Sequence, residues 1–336
     1  MTTSYKYDKI NYHIDQGEQK MKLVSSTGDF AHYVSTTADT VKAFKGSQFK
    51  YINLEQSAKE LKIADDNGSG LQRLADELAQ AAEYAGVKYV VSHAPCLHKP
   101  VINALSDPND ETYRENIKII RHSIEMCHLL GIERIVIHAC PDSSFTVEEF
   151  YKYNKMFYNE FFDLMEKYNI TVMTENWDNN ATHFSTGREI RDFLDYMNHP
   201  LLAACWDTAH GNIDAKARAI GQYQNIIDIG DKLKGMHISD NFGDCHHHSW
   251  PFAGKIKFDS IMQGLLDVNY DGYFTFEASY TLLHHNNPPH GRGAWTYNGE
   301  TVTKLLDPPI ELKKKAVELL YDTGKYILET YNCYEV

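Results

Sequence analysis

The sequence predicts a (β/α)8 TIM barrel, formed as a single α/β domain by residues 1–336. Eight short apolar runs alternate with amphipathic stretches, and several runs are continuous, as in strands buried on both faces. Eight such units in about 310 residues fit the usual length of this barrel. An open doubly wound sheet is the alternative, but no GxGxxG motif follows any run. The runs are 21–26, 49–54, 88–92, 134–137, 170–174, 202–206, 233–238 and 272–276.

The stretches between the runs have helical periodicity. In two of them the apolar side chains recur every three or four residues and therefore lie on one helix face. Gly86 and Gly131 stand just before the third and fourth runs, where a helix often ends in a left-handed residue. The two apolar faces are Leu71, Leu74, Leu78, Ala81 and Ala85, and Phe150, Tyr153, Phe157, Phe161, Leu164 and Tyr168.

Two segments fall outside the repeating pattern. Residues 1–20 are predicted to form an N-terminal extension, and residues 279–309 form a long irregular loop between the last strand and the last helix. Loops of this length in compact domains are commonly functional. We expect a lid-like insertion over the barrel mouth, carrying Tyr280, His284, His285, His290, Trp295 and Tyr297.

Composition limits the partners. Lys and Arg total 33 against 46 Asp and Glu, which gives a net charge of −13. This charge repels phosphate backbones and anionic lipids, so nucleic-acid and membrane partners are not expected. The chain has no apolar run of membrane-spanning length, its start does not resemble a secretory signal, and its six cysteines form no CxxC pair. We therefore expect reduced thiols in a cytoplasmic protein.

Side chains that can bind metals follow six successive runs. In a TIM barrel the carboxyl ends of the strands surround the active site. A single histidine at such a position is commonly structural, but six groups at equivalent positions are expected to converge. They are His93, His138, Glu175, Asp207, His237 and Glu277, with His210 just beyond Asp207.

These residue types indicate one divalent ion. Two Glu, an Asp and a His form an oxygen-rich set with one imidazole, which suits Mn²⁺, Mg²⁺, Co²⁺ or Zn²⁺. Such an ion, bound by adjacent hydroxyl and carbonyl oxygens, acidifies the C–H group between them. A nearby carboxylate or imidazole can then move the proton.

The motifs around these residues resemble the xylose-isomerase-like barrel superfamily of sugar isomerases and epimerases over about residues 21–330. The motifs are IERIVIHAC, TVMTENWDN, CWDTAHGNI, HISDN, HSWPFAGKIKF and FTFEAS. The resemblance to the sugar-epimerase branch implies one metal ion, with Mn²⁺ favoured, on Glu175, Asp207, His237 and Glu277. It also implies that the two Glu act as acid and base, and that His210 contacts the substrate.

The same superfamily includes endonuclease-IV-type repair enzymes with three zinc ions. His93, His138 and His248 match ligand positions of that branch. His246 stands where that branch has an Asp, and Phe252 replaces a usual Gly. These departures, together with the acidic charge, disfavour a nuclease.

A third branch is similar to this chain in length and architecture: the large subunit of deglycosidases that cleave C- or O-linked 3-keto-glycosides. It uses one divalent metal and a strand-end His as base, which implies a lyase and a smaller partner subunit. Without that partner a homo-oligomer is expected. A non-catalytic sugar-binding barrel is the remaining alternative. Across the enzyme hypotheses we expect His138 to be catalytic, and the predicted substrate-binding residues are His93, Trp177, His210, His246, His248 and Trp250.

Overall fold

The computed structural model describes residues 19–63, 69–97, 109–178, 183–283, 293–302, 304–305 and 307–336. Eight parallel strands form the barrel in chain order, pairing of the first strand with the eighth closes it, and a short ninth strand, Tyr334–Glu335, pairs with the first. The predicted (β/α)8 barrel is therefore confirmed. The strands are β1 Met21–Ser26, β2 Tyr51–Glu55, β3 Lys88–His93, β4 Arg134–Val136, β5 Thr171–Glu175, β6 Leu202–Asp207, β7 Leu233–Ile238 and β8 Phe274–Phe276.

Helices surround the barrel and are capped by local sequence signals. Thr146 and Thr186 each form a capping box, with Glu149 and Glu189 respectively, which satisfies free N–H groups at the helix start. Gly131 ends its helix in a left-handed conformation, as predicted. The helices are Thr37–Lys42, Ala58–Ile63, Ser69–Ala85, Glu111–Leu130, Val147–Asn159, Phe162–Tyr168, Gly187–Met197, Thr208–Ile213, Ala215–Ile220, Gln222–Ile229, Phe258–Asp267 and Ile310–Thr330.

Apolar packing occurs in two places. The main core lies where the helices pack against the strands, and a second, separate cluster joins β3, β4, β5 and β6. Gly235 on β7 belongs to this tight packing, because an added Cβ would lie 2.7 Å from the Met173 sulfur. The barrel interior is thus filled with side chains below the site. The second cluster is Val91, Val136, Met173, Ala203 and Cys205.

The loop 279–309 is only partly described. Its later part forms a short hairpin, Thr296–Tyr297 paired with Glu300–Thr301, and the rings of Trp295 and Tyr297 stack there with centroids 5.7 Å apart. Both aromatic side chains are exposed. His284, His285 and His290 lie outside the described residues, as do residues 1–18 of the expected N-terminal extension. The lid therefore stays a prediction.

None of the helices in the described segments has both the length and the apolar character needed to cross a membrane.

Candidate active site

Four predicted metal ligands meet at the carboxyl end of the barrel. Glu175 and Asp207 are the last residues of β5 and β6, His237 lies near the end of β7, and Glu277 directly follows β8. Because adjacent parallel strands are in register, Asp207 lies beside His237. One ligand atom from each of the four residues falls within 4.8 Å of the others. Consecutive strand ends thus form one compact ligand group.

The imidazole of His237 lies between the two glutamates. Its Nδ1 lies 3.0 Å from Glu175 Oε1 and 2.8 Å from Glu277 Oε2. Burial by itself lowers the pKa of His237, but the Cys205 thiol and the two carboxylates outweigh it and raise the pKa well above its usual value. In the protein without an ion, a proton on His237 therefore balances part of the carboxylate charge.

The donor set fits a divalent cation. Glu175 Oε2 and Asp207 Oδ2 are buried atoms that accept no hydrogen bond, and Glu277 Oε2 lies 2.8 Å from His237 Nδ1 but outside hydrogen-bond geometry. Leaving a buried carboxylate oxygen without a partner is costly, and a coordinated cation removes that cost. Three oxygens and one imidazole nitrogen match the ligand preferences of Mn²⁺, Mg²⁺ and Zn²⁺ better than those of soft metals.

Asn176 holds Asp207 and His210 in place. Its side chain donates to the Asp207 carbonyl oxygen at 3.0 Å and accepts from the Asp207 amide at 2.7 Å. The carbonyl of Asn176 accepts from His210 Nδ1 at 2.7 Å, while Asp207 Oδ1 accepts from the His210 amide. One Asp207 oxygen is therefore used to begin a helix, and the other is left for a ligand.

A pair of histidines, His93 and His138, lies on the other side of Glu175. The Nε2 atoms of His93 and His138 are 3.1 Å apart, and Glu175 Oε2 lies 3.7 Å from the first and 3.5 Å from the second. Burial lowers the pKa of His138 to about 3. Burial also acts to lower the pKa of His93, but Glu55 and Glu175 outweigh it and raise that pKa to about 9.

His210, His246 and His248 pack against each other rather than around one point. The rings of His210 and His246 stack with centroids 4.3 Å apart, and His246 Nδ1 is hydrogen-bonded to His248 Nε2 at 2.9 Å. Among the described residues these three histidines do not form a group with convergent ligand atoms. This packing disfavours the third zinc position of the endonuclease branch.

A cavity of about 390 Å³ opens above the ligand group, a size typical of small-molecule sites. Trp177 forms part of its wall, and its ring packs 4.5 Å from that of His138. Trp250, by contrast, is half-buried against the core and is not among the lining residues. The predicted site residues that line the cavity are His93, His138, Glu175, Trp177, His210, His246, His248 and Glu277.

Glu55 is a cavity residue that the sequence analysis missed. It ends β2 beside His93 and accepts hydrogen bonds from Ser26 Oγ at 2.9 Å and Asn53 Nδ2 at 2.7 Å. Loss of water contact raises the pKa of Glu55 despite the opposing effect of His93. The sequence does carry the signal, since Glu55 directly follows the second run, which ends at Leu54, just as Glu175 directly follows the fifth. Asn176 and Cys96 were missed as well, the latter at the cavity wall.

The closed parallel barrel and its convergent strand-end ligands define a TIM-barrel protein with a candidate metal centre. Residues 38–296 match the family described as "Xylose isomerase-like TIM barrel". Because this match spans more than half of the sequence, the chain belongs to that family.

Two curated relatives differ in their activities. The chain is 25% identical over 240 residues to the probable endonuclease 4 of Shouchella clausii, covering 69% of this chain and 74% of the relative. It is 29% identical over 94 residues to the ketose 3-epimerase of Arthrobacter globiformis, covering 28% and 29% respectively. Sequence similarity alone therefore does not separate nuclease from epimerase.

The fold has a solved counterpart in the D-psicose 3-epimerase with D-tagatose from Clostridium cellulolyticum H10. The TM-score is 0.66 at 15% identity, over 92% of this chain and 99% of that one. At this identity the likeness establishes the shared fold.

Proposed function

We propose that this protein is a divalent-metal-dependent enzyme that moves a proton beside a carbonyl or hydroxyl group of a sugar, as isomerases and epimerases do. The observation that carries the proposal is the convergence of Glu175, Asp207, His237 and Glu277 within 4.8 Å. This group lies at the base of a cavity of about 390 Å³. The ketose 3-epimerase relative supports the sugar chemistry.

In this proposal the four strand-end residues hold the ion, with Mn²⁺ favoured and Mg²⁺, Co²⁺ and Zn²⁺ as alternatives. The bound ion makes the C–H group beside a coordinated sugar oxygen more acidic. Glu175 and Glu277 are the two ion-binding carboxylates that line the cavity, and each has a second oxygen besides the one that would bind the ion. They are therefore suited to take a proton from the sugar carbon and to return one.

The cavity walls suit an uncharged, flat-faced substrate. His93, Trp177, His210, His246 and His248 present rings to the cavity. Rings of this kind pack against the C–H faces of sugars, and their nitrogen atoms hydrogen-bond to hydroxyl groups. We assign these five residues to substrate binding.

A second candidate is a lyase that cleaves C- or O-linked 3-keto-glycosides, and His138 is the observation that favours it. The low pKa of this imidazole, about 3, keeps it neutral at neutral pH. Its Nε2 also lies at the cavity beside Glu175. A neutral strand-end histidine can take a proton in elimination when bound substrate raises its pKa toward neutral pH. As a lyase, the protein would bind a smaller partner subunit. As an epimerase, it would form a homo-oligomer.

Three substrate classes distinguish these functions. Metal-depleted protein and protein reloaded with Mn²⁺ would be incubated with free ketoses, 3-keto-glycosides and abasic-site DNA, with product analysis by chromatography. Epimerised ketose after Mn²⁺ loading supports the proposal. Release of an aglycone supports the lyase. Strand cleavage of DNA alone would overturn both and favour a nuclease, despite the −13 charge.

Glu277→Gln provides the matched variant for this assay. It keeps the size of the side chain but removes a charged ligand, so metal content and turnover should fall together while the circular dichroism spectrum is unchanged. Full turnover by metal-free protein would overturn the proposal.

A further inference from the structure

The loop after β7 has two chemically different faces. His246 and His248 line the cavity, whereas Asp244 and Cys245 are exposed and His247 is partly exposed. The base of the loop is fixed, since Asp240 and Ser249 exchange two backbone hydrogen bonds, of 2.9 and 3.1 Å. The outer face therefore rests on a defined backbone.

Three different metal-binding side chains converge on this outer face. Cys245 Sγ lies 3.1 Å from His247 Nε2, and Asp244 Oδ1 lies 3.1 Å from the same nitrogen. The three ligand atoms all fall within 4.8 Å of one another. Tetrahedral metal–ligand bonds of about 2.0–2.3 Å place neighbouring ligand atoms about 3.3–3.8 Å apart, so small movements of the side chains would bring the two measured distances to those of a shared ion.

A single hydrogen on His247 Nε2 is all that holds the three side chains together when no ion is bound. A carboxylate oxygen only accepts, and one ring nitrogen carries at most one hydrogen. The Nε2–H group of His247 can be shared between the carboxylate and the sulfur, and Asp244 Oδ1 also accepts from the Cys245 amide at 2.9 Å. A cation bound to all three side chains would replace this one shared hydrogen with three metal–ligand bonds.

We propose that Asp244, Cys245 and His247 form a second cation site, separate from the strand-end ligands, for a borderline divalent ion such as Zn²⁺ or Co²⁺. A thiolate, an imidazole and a carboxylate form a mixed set that Zn²⁺ accepts readily and that suits Mn²⁺ or Mg²⁺ poorly. Three protein ligands leave a position for water.

Binding at this site would restrain the cavity wall. The ion would join residues 244, 245 and 247, and His246 lies between two of its ligands. His246 stacks on His210 and is hydrogen-bonded to His248. Ion binding outside the cavity would thus limit the movement of an imidazole inside it, and the site serves to organise the loop.

Cobalt titration tests the site through a signal that does not depend on catalysis. Co²⁺ bound to a thiolate gives a near-ultraviolet charge-transfer band, which carboxylate and imidazole ligands alone do not give. Protein preloaded with Mn²⁺ would be titrated with Co²⁺ as wild type, Cys245→Ser and Cys96→Ser. Cys96→Ser is the matched control because Cys96 groups with His93 and His138 at the cavity.

We expect the band in the wild type and in Cys96→Ser, with intensity for one thiolate per chain, and its loss in Cys245→Ser. Zn²⁺ should abolish the band by competition and should slow alkylation of Cys245 by at least about tenfold, as followed by peptide mass spectrometry. No band in the wild type, a band that is lost only in Cys96→Ser, or unprotected Cys245 would each overturn the proposal. All three readouts are independent of the sugar chemistry proposed above.

Discussion

The most informative single residue is His237, because its side chain touches two of the other metal ligands. Its Nδ1 lies within 3.0 Å of oxygens of Glu175 and Glu277. The carboxylates that would bind an ion stabilise the imidazolium when no ion is present. A proton and a cation therefore compete for one position.

Metal affinity should consequently fall as the pH is lowered. The pKa of His237 in the ion-free protein is well above its usual value, and coordination requires the neutral imidazole. Below that raised pKa, binding releases a proton, so the apparent affinity should change by up to about tenfold per pH unit. Calorimetric titration with Mn²⁺ in buffers of different ionisation enthalpy measures the released protons. Affinity that does not change between pH 6 and pH 8 would contradict this account.

His138 is expected to contribute to proton transfer. Replacing it with Ala should lower kcat by at least about 10²-fold, the usual contribution of a general acid or base. Metal content should stay unchanged, because His138 is not one of the four strand-end ligands. His128→Ala is the control, since that exposed ring stacks on Tyr168 and is not among the residues that line the cavity. Retention of more than about a tenth of kcat in His138→Ala would exclude acid–base catalysis by this residue.

At the scale of elements, a buried ion pair fixes the segment that follows β8. Lys313, near the start of the last helix, lies 3.1 Å from Asp29, and both side chains are almost fully buried. The ammonium also donates to the carbonyls of Ser279 and Thr281, at 2.8 and 3.0 Å. The helix thereby holds the chain just beyond Glu277.

Lys313→Met should destabilise the protein by about 3–5 kcal/mol, because it leaves the Asp29 carboxylate buried without its cation. The matched control is Lys314→Met, where a surface pair with Glu311 is lost and the cost should be below about 1 kcal/mol. Urea denaturation of both variants measures the difference. Equal stabilities would show that the Lys313–Asp29 pair contributes little beyond its own desolvation.

For the whole molecule, the ligand arrangement couples metal binding to barrel stability. The four ligands come from β5, β6, β7 and the end of β8, half of the closed sheet. An ion bound to all four joins strands whose ligands are dispersed in the unfolded chain. Binding energy therefore adds to the free energy of unfolding.

Mn²⁺ at one hundred times its Kd should stabilise the folded protein by about 2.7 kcal/mol and raise Tm by several degrees. A chelator should reverse the shift. In Glu277→Gln the shift should shrink strongly, whereas in Cys245→Ser it should persist because Cys245 lies outside the strand-end ligands. Differential scanning calorimetry measures the Tm of the wild type with Mn²⁺ and with the chelator, and the Mn²⁺-induced shift of each variant. A Tm that does not respond to Mn²⁺ would exclude binding at the strand ends.

Local sequence determined the barrel and the positions of its strand-end ligands. Buried parallel strands require continuous apolar runs, so the runs could be recognised without any tertiary information. Because the chemistry of this fold lies at the carboxyl ends of strands, the polar side chains at or just past the ends of the runs were enough to find Glu175, Asp207, His237 and Glu277. Glu55 stands in the same position after the second run, so its place at a strand end was also encoded locally.

Only the tertiary structure decided which side chains from different loops and elements contact one another. The sequence placed His210, His246 and His248 near the mouth, but their rotamers and the loop path make them stack instead of converging on one point. It placed Trp250 at the site, whereas the side chain packs against the core. The pairing of Asp29 with Lys313 joins residues 284 positions apart. Sequence periodicity fixes the direction of a side chain within its own element. Contacts between loops depend on chain paths that no local pattern encodes.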